Sequence, residues 1–204
     1  MKNPDPGGRG RPRSKQAEEA ILEATTQLLN EEGFAALTIE DVAERAGVGK
    51  ATIYRWWETK GTLAFDAFVT LFLAAQPLPD TGTLRGDLLG ALRAWIKTVD
   101  ETSTGRTLVG LIGEVQRDPA LASLWRSQFV VTVRDHHKVI IGRAIERGEI
   151  PASTDTEVTL DLLFGPAYHR LLHSHLPLTD EFAVQVVSII VAGLENRTEP
   201  APSL

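Results

Sequence analysis

Apolar side chains recur at helical spacing over two short segments that are separated by a glycine-containing turn. The first segment places four apolar residues at i, i+3, i+4 and i+7: Ile39, Val42, Ala43 and Ala46. Thr38 precedes them as an N-cap, and Asp41 three residues later makes a variant of the capping box. Gly47 supplies the positive φ that ends a helix. The pattern therefore predicts a short capped helix followed by a tight turn.

A second short helix is predicted to begin near Gly49 or Lys50. Its apolar positions Ala51, Ile53 and Trp57 lie among polar and aromatic residues. Two short helices joined by a glycine-containing turn are typical of the helix-turn-helix motif. In that motif the second helix lies in the DNA major groove and presents its N-terminal residues to base edges.

The rest of the chain also shows helical periodicity, without strand-like alternation of useful length. One helix is predicted from about Ser14 to Glu32, and another from Lys60 or Gly61 to the prolines near residue 77. Asp118-Pro119 is typical of a helix start, and the helix that follows is expected to reach Gly148. The last helix, about Asp180 to Glu195, is apolar on nearly every side, which predicts burial all round. The predicted fold class is all-α.

These elements predict three regions along the chain. Residues 1–14 are rich in Gly and Pro and are expected to form a flexible basic arm. Residues 15–60 form the predicted three-helix helix-turn-helix domain, and residues 61–204 a larger helical domain in which the helix 61–75 acts as the connector. Arginines in such an arm can enter the DNA minor groove. Phosphate or minor-groove contact is therefore predicted for Arg9, Arg11 and Arg13.

Composition restricts the function classes without selecting one. The 204-residue chain has a net charge of −6, yet residues 1–15 carry five basic side chains and one acidic one. Local charge matters more for phosphate binding than the total does. The absence of cysteine excludes disulfides and thiolate sites. The N-terminus lacks the apolar core of a signal peptide, and the longest apolar run is too short to span a bilayer, so a cytoplasmic location is expected.

From Lys15 to about Phe68 the chain resembles the DNA-binding domain of the TetR family of bacterial transcriptional regulators. The matching residues are Ile21-Leu22-x-Ala24, Gly33-Phe34, Leu37-Thr38, Val42-Ala43, Ala46-Gly47-Val48, Lys50-x-Thr52-Ile53-Tyr54 and Lys60. Two positions depart from the family pattern. Gly49 replaces a frequent serine and removes a side-chain N-cap, and Trp56-Trp57 replaces the commoner His-Phe type of pair.

The resemblance implies a set of DNA contacts around the second short helix. Lys50 is suited to a phosphate or to guanine O6 and N7. Tyr54 is expected to direct its hydroxyl at a phosphate, and Thr38 to do so from a helix N-terminus. The complete predicted set in this region is Thr38, Lys50, Ala51, Thr52, Tyr54, Arg55, Trp56 and Lys60. Trp56 is equally compatible with packing.

The C-terminal half resembles, more loosely, the ligand-binding and dimerisation half of one TetR subgroup. The resemblance implies a homodimer built by the last two helices of each subunit, a palindromic double-stranded DNA operator and a small apolar or amphipathic ligand. Candidate pocket residues, each also compatible with plain core packing, are Trp95, Leu111, Glu114, Trp125 and Phe129. Candidate dimer-interface residues are Leu162, His169, Val187 and Val191.

The leading interpretation is a dimeric repressor that a ligand releases from its operator. An α-helical enzyme is an alternative, but the sequence shows no nucleophile elbow, phosphate-cradling glycine loop or metal constellation, and no cofactor is expected. His169 and His173 stand at i and i+4 and could share a metal, which the lack of further ligands disfavours. A third interpretation is a C-terminal domain that binds a protein partner; a large exposed apolar patch outside the dimer seam would favour it, and a pocket-sized cavity would favour the ligand sensor.

Overall fold

The computed structural model describes residues 11–100 and 102–195, and helices make up its regular structure. Their bounds in chain order are α1 Arg11–Glu31, α2 Gly33–Ala36, α3 Ile39–Ala46, α4 Lys50–Tyr54, α5 Lys60–Ala74, α6 Leu84–Val99, α7 Ser103–Val115, α8 Pro119–Leu124, α9 Val131–Glu146, α10 Thr156–His173 and α11 Asp180–Glu195. A π-helical segment, Trp125–Val130, joins α8 to α9. None of the described helices is long and apolar enough to cross a membrane. The all-α prediction is confirmed.

The helix-turn-helix forms as the sequence predicts. The Thr38 hydroxyl accepts a hydrogen bond from the Asp41 backbone N–H at 3.1 Å and so caps α3. Gly47 ends α3 with φ of 65°, a conformation that a side chain would disfavour. Gly49 begins α4 without a side-chain cap. The two short helices therefore start and stop at the residues that their local chemistry selects.

The first helix differs from its predicted bounds. It begins at Arg11, three residues before the expected Ser14. A four-residue helix, α2, follows it directly, and this element was not predicted. Because α2 carries the buried Phe34 toward α7, it helps to attach the N-terminal helices to the rest of the chain.

The N-terminal helices pack around one small core in which α1 contacts both α3 and α5. Its fully buried side chains include Ile21, Leu37, Val42 and Ile53. At the end of α4 the indole N–H of Trp57 donates to the Asp66 carboxylate on α5 at 2.7 Å. This buried contact fixes the position of α4 relative to the connector α5.

The C-terminal helices pack α6 against α7, α9, α10 and α11. Arg93 on α6 and Asp180 on α11 form a two-bond ion pair, with distances of 2.5 and 2.7 Å. The buried Asp87 carboxylate accepts hydrogen bonds from the backbone N–H and the hydroxyl of Thr81 at 2.6 and 2.8 Å. These bonds satisfy charged and polar groups on α6 and join it to α11 and to the segment that precedes it.

In the single chain the final helix is buried on one face, and the burial predicted for its other face, which involves a second subunit, stays a prediction. Val187 and Val191 are 1% and 5% exposed because they pack into the chain's own core, so neither is available to a second subunit. The opposite face is open, and Ile189 is 74% exposed. The helix therefore covers its own domain with one face and leaves the other uncovered in the single chain.

A glycine near the start of α7 supplies a test of the packing between α6 and α7. A Cβ at Gly105 would lie 1.8 Å from the Val99 carbonyl oxygen, whereas a Cβ at Gly113 on the same helix meets nothing within 4 Å. We expect Gly105→Ala to lower the free energy of unfolding by roughly 2–3 kcal/mol or more. Gly113→Ala should instead be neutral or raise it by up to about 1 kcal/mol. Denaturant unfolding measures both, and equal stabilities for the two variants would contradict the described α6–α7 contact.

Candidate functional site

Helix α4 separates its core residue from its solvent-facing residues. Ile53 is fully buried and, together with Trp57, anchors the helix. The outward positions Lys50, Ala51, Tyr54 and Arg55 are exposed, and Thr52 is half-buried. Tyr54 is 53% exposed although it is aromatic, so its hydroxyl is accessible to solvent. The structure thus brings five predicted DNA-contact residues onto one short surface.

Lys50 is paired with an acidic neighbour in the free protein. Its ammonium donates to the Glu40 carboxylate on α3, and both side chains are more than half exposed. This hydrogen bond lowers the pKa of Glu40 and raises the pKa of Lys50. Both groups are therefore charged at neutral pH, and the negative charge of Glu40 opposes the approach of a phosphate to Lys50.

Two further predicted contacts lie outside α4 in the chain, Thr38 at the start of α3 and Trp56 just after α4. Thr38 is exposed, and its hydroxyl donates to the Asp41 carboxylate at 2.5 Å. The Arg55 guanidinium lies 4.7 Å from the centre of the Trp56 ring, and Trp56 meets Trp57 edge-on at 5.7 Å. Trp56 is half-buried, so it serves as a platform for Arg55 while keeping one side accessible.

Lys60, a predicted phosphate ligand, makes an internal contact in the structure. Its ammonium donates to the Phe34 carbonyl oxygen at 3.2 Å and stands 4.7 Å from the Phe34 ring centre. Residue Lys60 therefore already has an internal partner that joins α5 to α2. Of the predicted arm contacts, Arg9 and the side chains of Arg11 and Arg13 lie outside the described residues.

A cavity of about 470 Å³ lies in the C-terminal helical domain. Three of the five predicted pocket residues line it: Trp95, Trp125 and Phe129. The other two do not. Leu111 is fully buried in the core, and Glu114 lies beside Gly61 on the connector. The size is within the range of small-molecule sites.

Most of the residues that line the cavity belong to α9 and α10 and were not predicted from the sequence. The lining residues that were not predicted include Val130, Val133, Arg134, His137, Leu160, Asp161, Phe164, Tyr168 and Leu172. On each helix they recur at spacings of three and four, which is the signal that could have found them. Burial lowers the pKa of His137 and raises the pKa of Tyr168 to about 12, so both side chains are neutral at neutral pH.

The cavity wall is in direct contact with the connector α5. Phe68 on α5 lies 6.3 Å from Trp125 and 5.4 Å from Phe129, measured between ring centres. Phe72, one turn further on, lies 5.2 Å from Phe129. Trp125 and Phe129 belong to the π-helical segment, and such segments occur frequently at functional sites. Two lining residues therefore touch the cavity on one side and α5 on the other.

A second apolar groove, about 350 Å³, runs along the outer surface between α10 and α11. Leu162, a predicted interface residue, lines it and is 54% exposed. Val158 and Ile189 line it too, with exposures of 48% and 74%. His169 is exposed on α10 beyond the groove. Its ring lies within 5 Å of those of His173 and His175, yet no metal-binding group is found among the described residues.

Two family profiles together match most of the chain. Residues 21–67 match the family described as bacterial regulatory proteins, tetR family, and residues 78–190 match the tetracyclin repressor-like C-terminal domain. The chain belongs to the TetR family of transcriptional regulators. The helix-turn-helix and the C-terminal cavity therefore sit in the two parts of a known regulator architecture, and proteins of this family bind DNA.

Individual relatives of this TetR-family chain are similar to it over nearly their whole length. The HTH-type transcriptional regulator YdeS of Bacillus subtilis is 35% identical over 187 residues, covering 92% of this chain and 94% of that protein. The DNA-binding transcriptional repressor TetR of Mycobacteroides abscessus is 29% identical over 188 residues, covering 89% and 95%. The crystal structure of the TetR family regulator SCO0332 is similar with a TM-score of 0.79 and 38% identity, covering 87% and 98%. These relatives are regulators and not enzymes.

The internal contacts of Lys60 predict a structural effect. We expect Lys60→Ala to lower the free energy of unfolding by about 1 kcal/mol, because it removes a hydrogen bond and a cation–π contact. Lys97→Ala, at an exposed position on α6, is the control and should change stability little. Thermal unfolding compares the two variants. Weaker DNA binding by Lys60→Ala with unchanged stability would instead support the original phosphate assignment.

Proposed function

We propose that this TetR-family chain acts as a homodimeric repressor that binds a palindromic operator through α4 and leaves it when a small apolar molecule occupies the cavity. The observation that carries this proposal is the double contact of Trp125 and Phe129, which touch the cavity and the connector α5. A ligand that moves these two rings also changes the packing of Phe68 and Phe72. Since Trp57 ties α4 to α5 through Asp66, the displacement reaches the DNA-binding surface.

Occupation of the cavity then acts as a population shift between two spacings of the DNA-binding helices. A ligand changes such an equilibrium only by its difference in affinity for the two states. A dimer that reads two half-sites needs them about one helical turn, roughly 34–36 Å, apart. Two half-sites therefore make operator affinity sensitive to a small rotation of α5 in each subunit. The naming of the Mycobacteroides abscessus relative as a repressor supports repression over activation.

The exposed α10–α11 groove is the proposed contact for the second subunit. It is apolar, it lies on the outer surface, and its most exposed large apolar residue is an isoleucine. Exposed apolar surface of this kind marks interaction sites. Two copies of the groove are both apolar, so each matches the other across a twofold axis, as a symmetric dimer interface requires. Leu162 remains in the proposed interface, while Val158 and Ile189 take the places predicted for Val187 and Val191.

DNA binding by α4 is tested by changing the Lys50–Glu40 pair. Lys50→Ala should weaken operator binding roughly tenfold and reduce its salt dependence. Glu40→Gln should tighten binding, because it frees Lys50 and removes a negative charge beside it. Glu44→Gln, an exposed substitution on the same helix, is the matched control. Fluorescence anisotropy against a duplex from upstream of the chain's own gene, with a scrambled duplex alongside, measures all three.

Unchanged affinity for Lys50→Ala would remove Lys50 from the proposed interface. Equal tightening by Glu40→Gln and Glu44→Gln would mean that only the overall charge matters, and that the Lys50–Glu40 contact has no specific effect.

The proposed dimer contact is tested by a pair of glutamate substitutions at equally exposed valines. Val158 in the groove is 48% exposed and Val131 on α9 is 49% exposed. We expect Val158→Glu to convert the dimer to monomer, because it places two like charges in an apolar interface. Val131→Glu should leave the dimer intact. Sedimentation velocity measures the mass, and a Val158→Glu protein that stays dimeric would contradict the proposed interface.

A further inference from the structure

The most unusual polar group in the cavity wall is a buried histidine with one unused nitrogen. His137 lines the cavity and is only 1% exposed. Its Nδ1 lies 2.8 Å from the Val133 carbonyl oxygen, and its Nε2 has no hydrogen-bond partner among the described residues. A carbonyl oxygen can only accept, so Nδ1 carries the proton. Nε2 is then an acceptor with a free lone pair.

The protein around His137 supplies no donor for this lone pair. The Phe164 ring, 4.8 Å away between centres, has no donor group, and the rings of His136 and His137 are 5.2 Å apart. Nε2 of His136 is itself 3.0 Å from the Gln76 carbonyl oxygen. An unpaired buried acceptor is costly, and this cost is removed when a partner arrives. Because His137 lines the cavity, an occupant of the cavity is the partner nearest at hand for Nε2.

The charged residues at the cavity do not favour an anionic occupant. Arg134 donates to Asp161 at 2.7 Å and to Glu157 at 2.5 Å, so its guanidinium is already neutralised. Lys138 is paired in the same way with Glu157 and Asp135. The five side chains together carry two positive and three negative charges. Of these five, only Arg134 and Asp161 line the cavity, and their charges offset each other, so the described lining offers a negative ligand no unpaired cation beside the neutral His137.

The remaining wall is apolar, and five of its residues are aromatic. Trp95 and Tyr168 lie 4.9 Å apart between ring centres, Trp125 and Phe129 lie 4.4 Å apart, and Phe164 stands 6.4 Å from Trp95. Aromatic side chains contact flat rings through offset-stacked and edge-on arrangements. A planar ring system therefore fits this wall better than a flexible chain of the same volume.

We propose that the cavity binds a neutral, planar aromatic molecule that donates a hydrogen bond, from a hydroxyl or a ring N–H, to Nε2 of His137. This inference rests on the proposed function only in taking the cavity as the ligand site. It makes His137 a specificity-determining residue that separates hydrogen-bond donors from their methylated analogues. A site that leaves a buried polar group unpaired rejects an analogue that lacks the matching group.

The test uses matched pairs of probes that differ only in the donor. The pairs are α-naphthol with α-naphthyl methyl ether, and p-hydroxybiphenyl with p-methoxybiphenyl; β-naphthoate serves as an anionic probe. Isothermal titration calorimetry on the full chain should show at least one hydroxyl compound binding on the order of tenfold more tightly than its ether. The anion should bind more weakly than the naphthol. No binding by either hydroxyl compound, or ethers equal to them, would overturn the proposal.

Two variants separate the acceptor from general packing. His137→Phe should abolish the preference for the hydroxyl compound while keeping affinity for the ether. His136→Phe, the adjacent histidine that does not line the cavity, should keep the preference. If His137→Phe does not fold, ¹⁵N NMR of the unaltered protein is decisive. The Nε2 resonance of His137 should shift with the naphthol and not with its ether, and an equal response to both would contradict the proposal.

The outcome is separable from the regulator proposal. If ether and naphthol bind equally and both release operator DNA, the regulator proposal stands and the role of His137 fails. If the naphthol binds through His137 but leaves DNA binding unchanged, the binding inference stands and ligand-controlled release fails.

Discussion

The packing of α5 against the π-helical segment is the contact that joins the connector helix to the cavity wall. Phe68 and Phe72 belong to the helix that leads away from the DNA-binding domain, while Trp125 and Phe129 belong to the cavity wall. Close-packed aromatic rings transmit displacement because interiors have little free volume. The same four rings therefore provide a core for the C-terminal domain and, in the proposed function, connect the cavity to the DNA-binding helix.

The DNA-binding surface shows how a five-residue helix can be presented rigidly. Helix α4 has no side-chain cap, and an isolated helix of this length is unstable in water. Ile53 and Trp57 compensate through tertiary contacts, since one is fully buried and the other is bonded to Asp66. The solvent-facing residues of α4 are therefore not needed to hold the helix in place. Net charge is a poor guide to this surface, because Lys50 and Glu40 cancel each other in the free protein.

Local chemistry predicted the helices well, and long-range packing accounts for what it missed. Thr38, Gly47 and Asp118 each set a helix end through groups a few residues away, so their roles follow from sequence. Lys60 was predicted to contact phosphate, but its partner is Phe34, twenty-six positions earlier in the chain. Such a contact is specified only by the tertiary arrangement of α2 and α5.

The two apolar surfaces show the same limit of prediction from sequence. The sequence of α11 is apolar nearly all round, so periodicity does not distinguish Val187, which packs inward, from Ile189, which is exposed. The cavity wall combines one face of α9 with one face of α10, and their alignment is a property of the packed bundle. His137 appeared in the sequence only as half of an adjacent histidine pair. Its significance comes from the Val133 carbonyl oxygen and the cavity beside it.

The central claim is that two copies of α4 read two related half-sites, and selection from random duplex DNA with the full-length protein tests it most directly. Repeated rounds of capture and sequencing should enrich an inverted repeat whose half-site centres lie about one helical turn apart. Lys50→Ala protein run in parallel should enrich it poorly or not at all. A population that remains indistinguishable from the input, or that converges on a single unpaired half-site, would contradict the account of a dimeric operator-binding regulator.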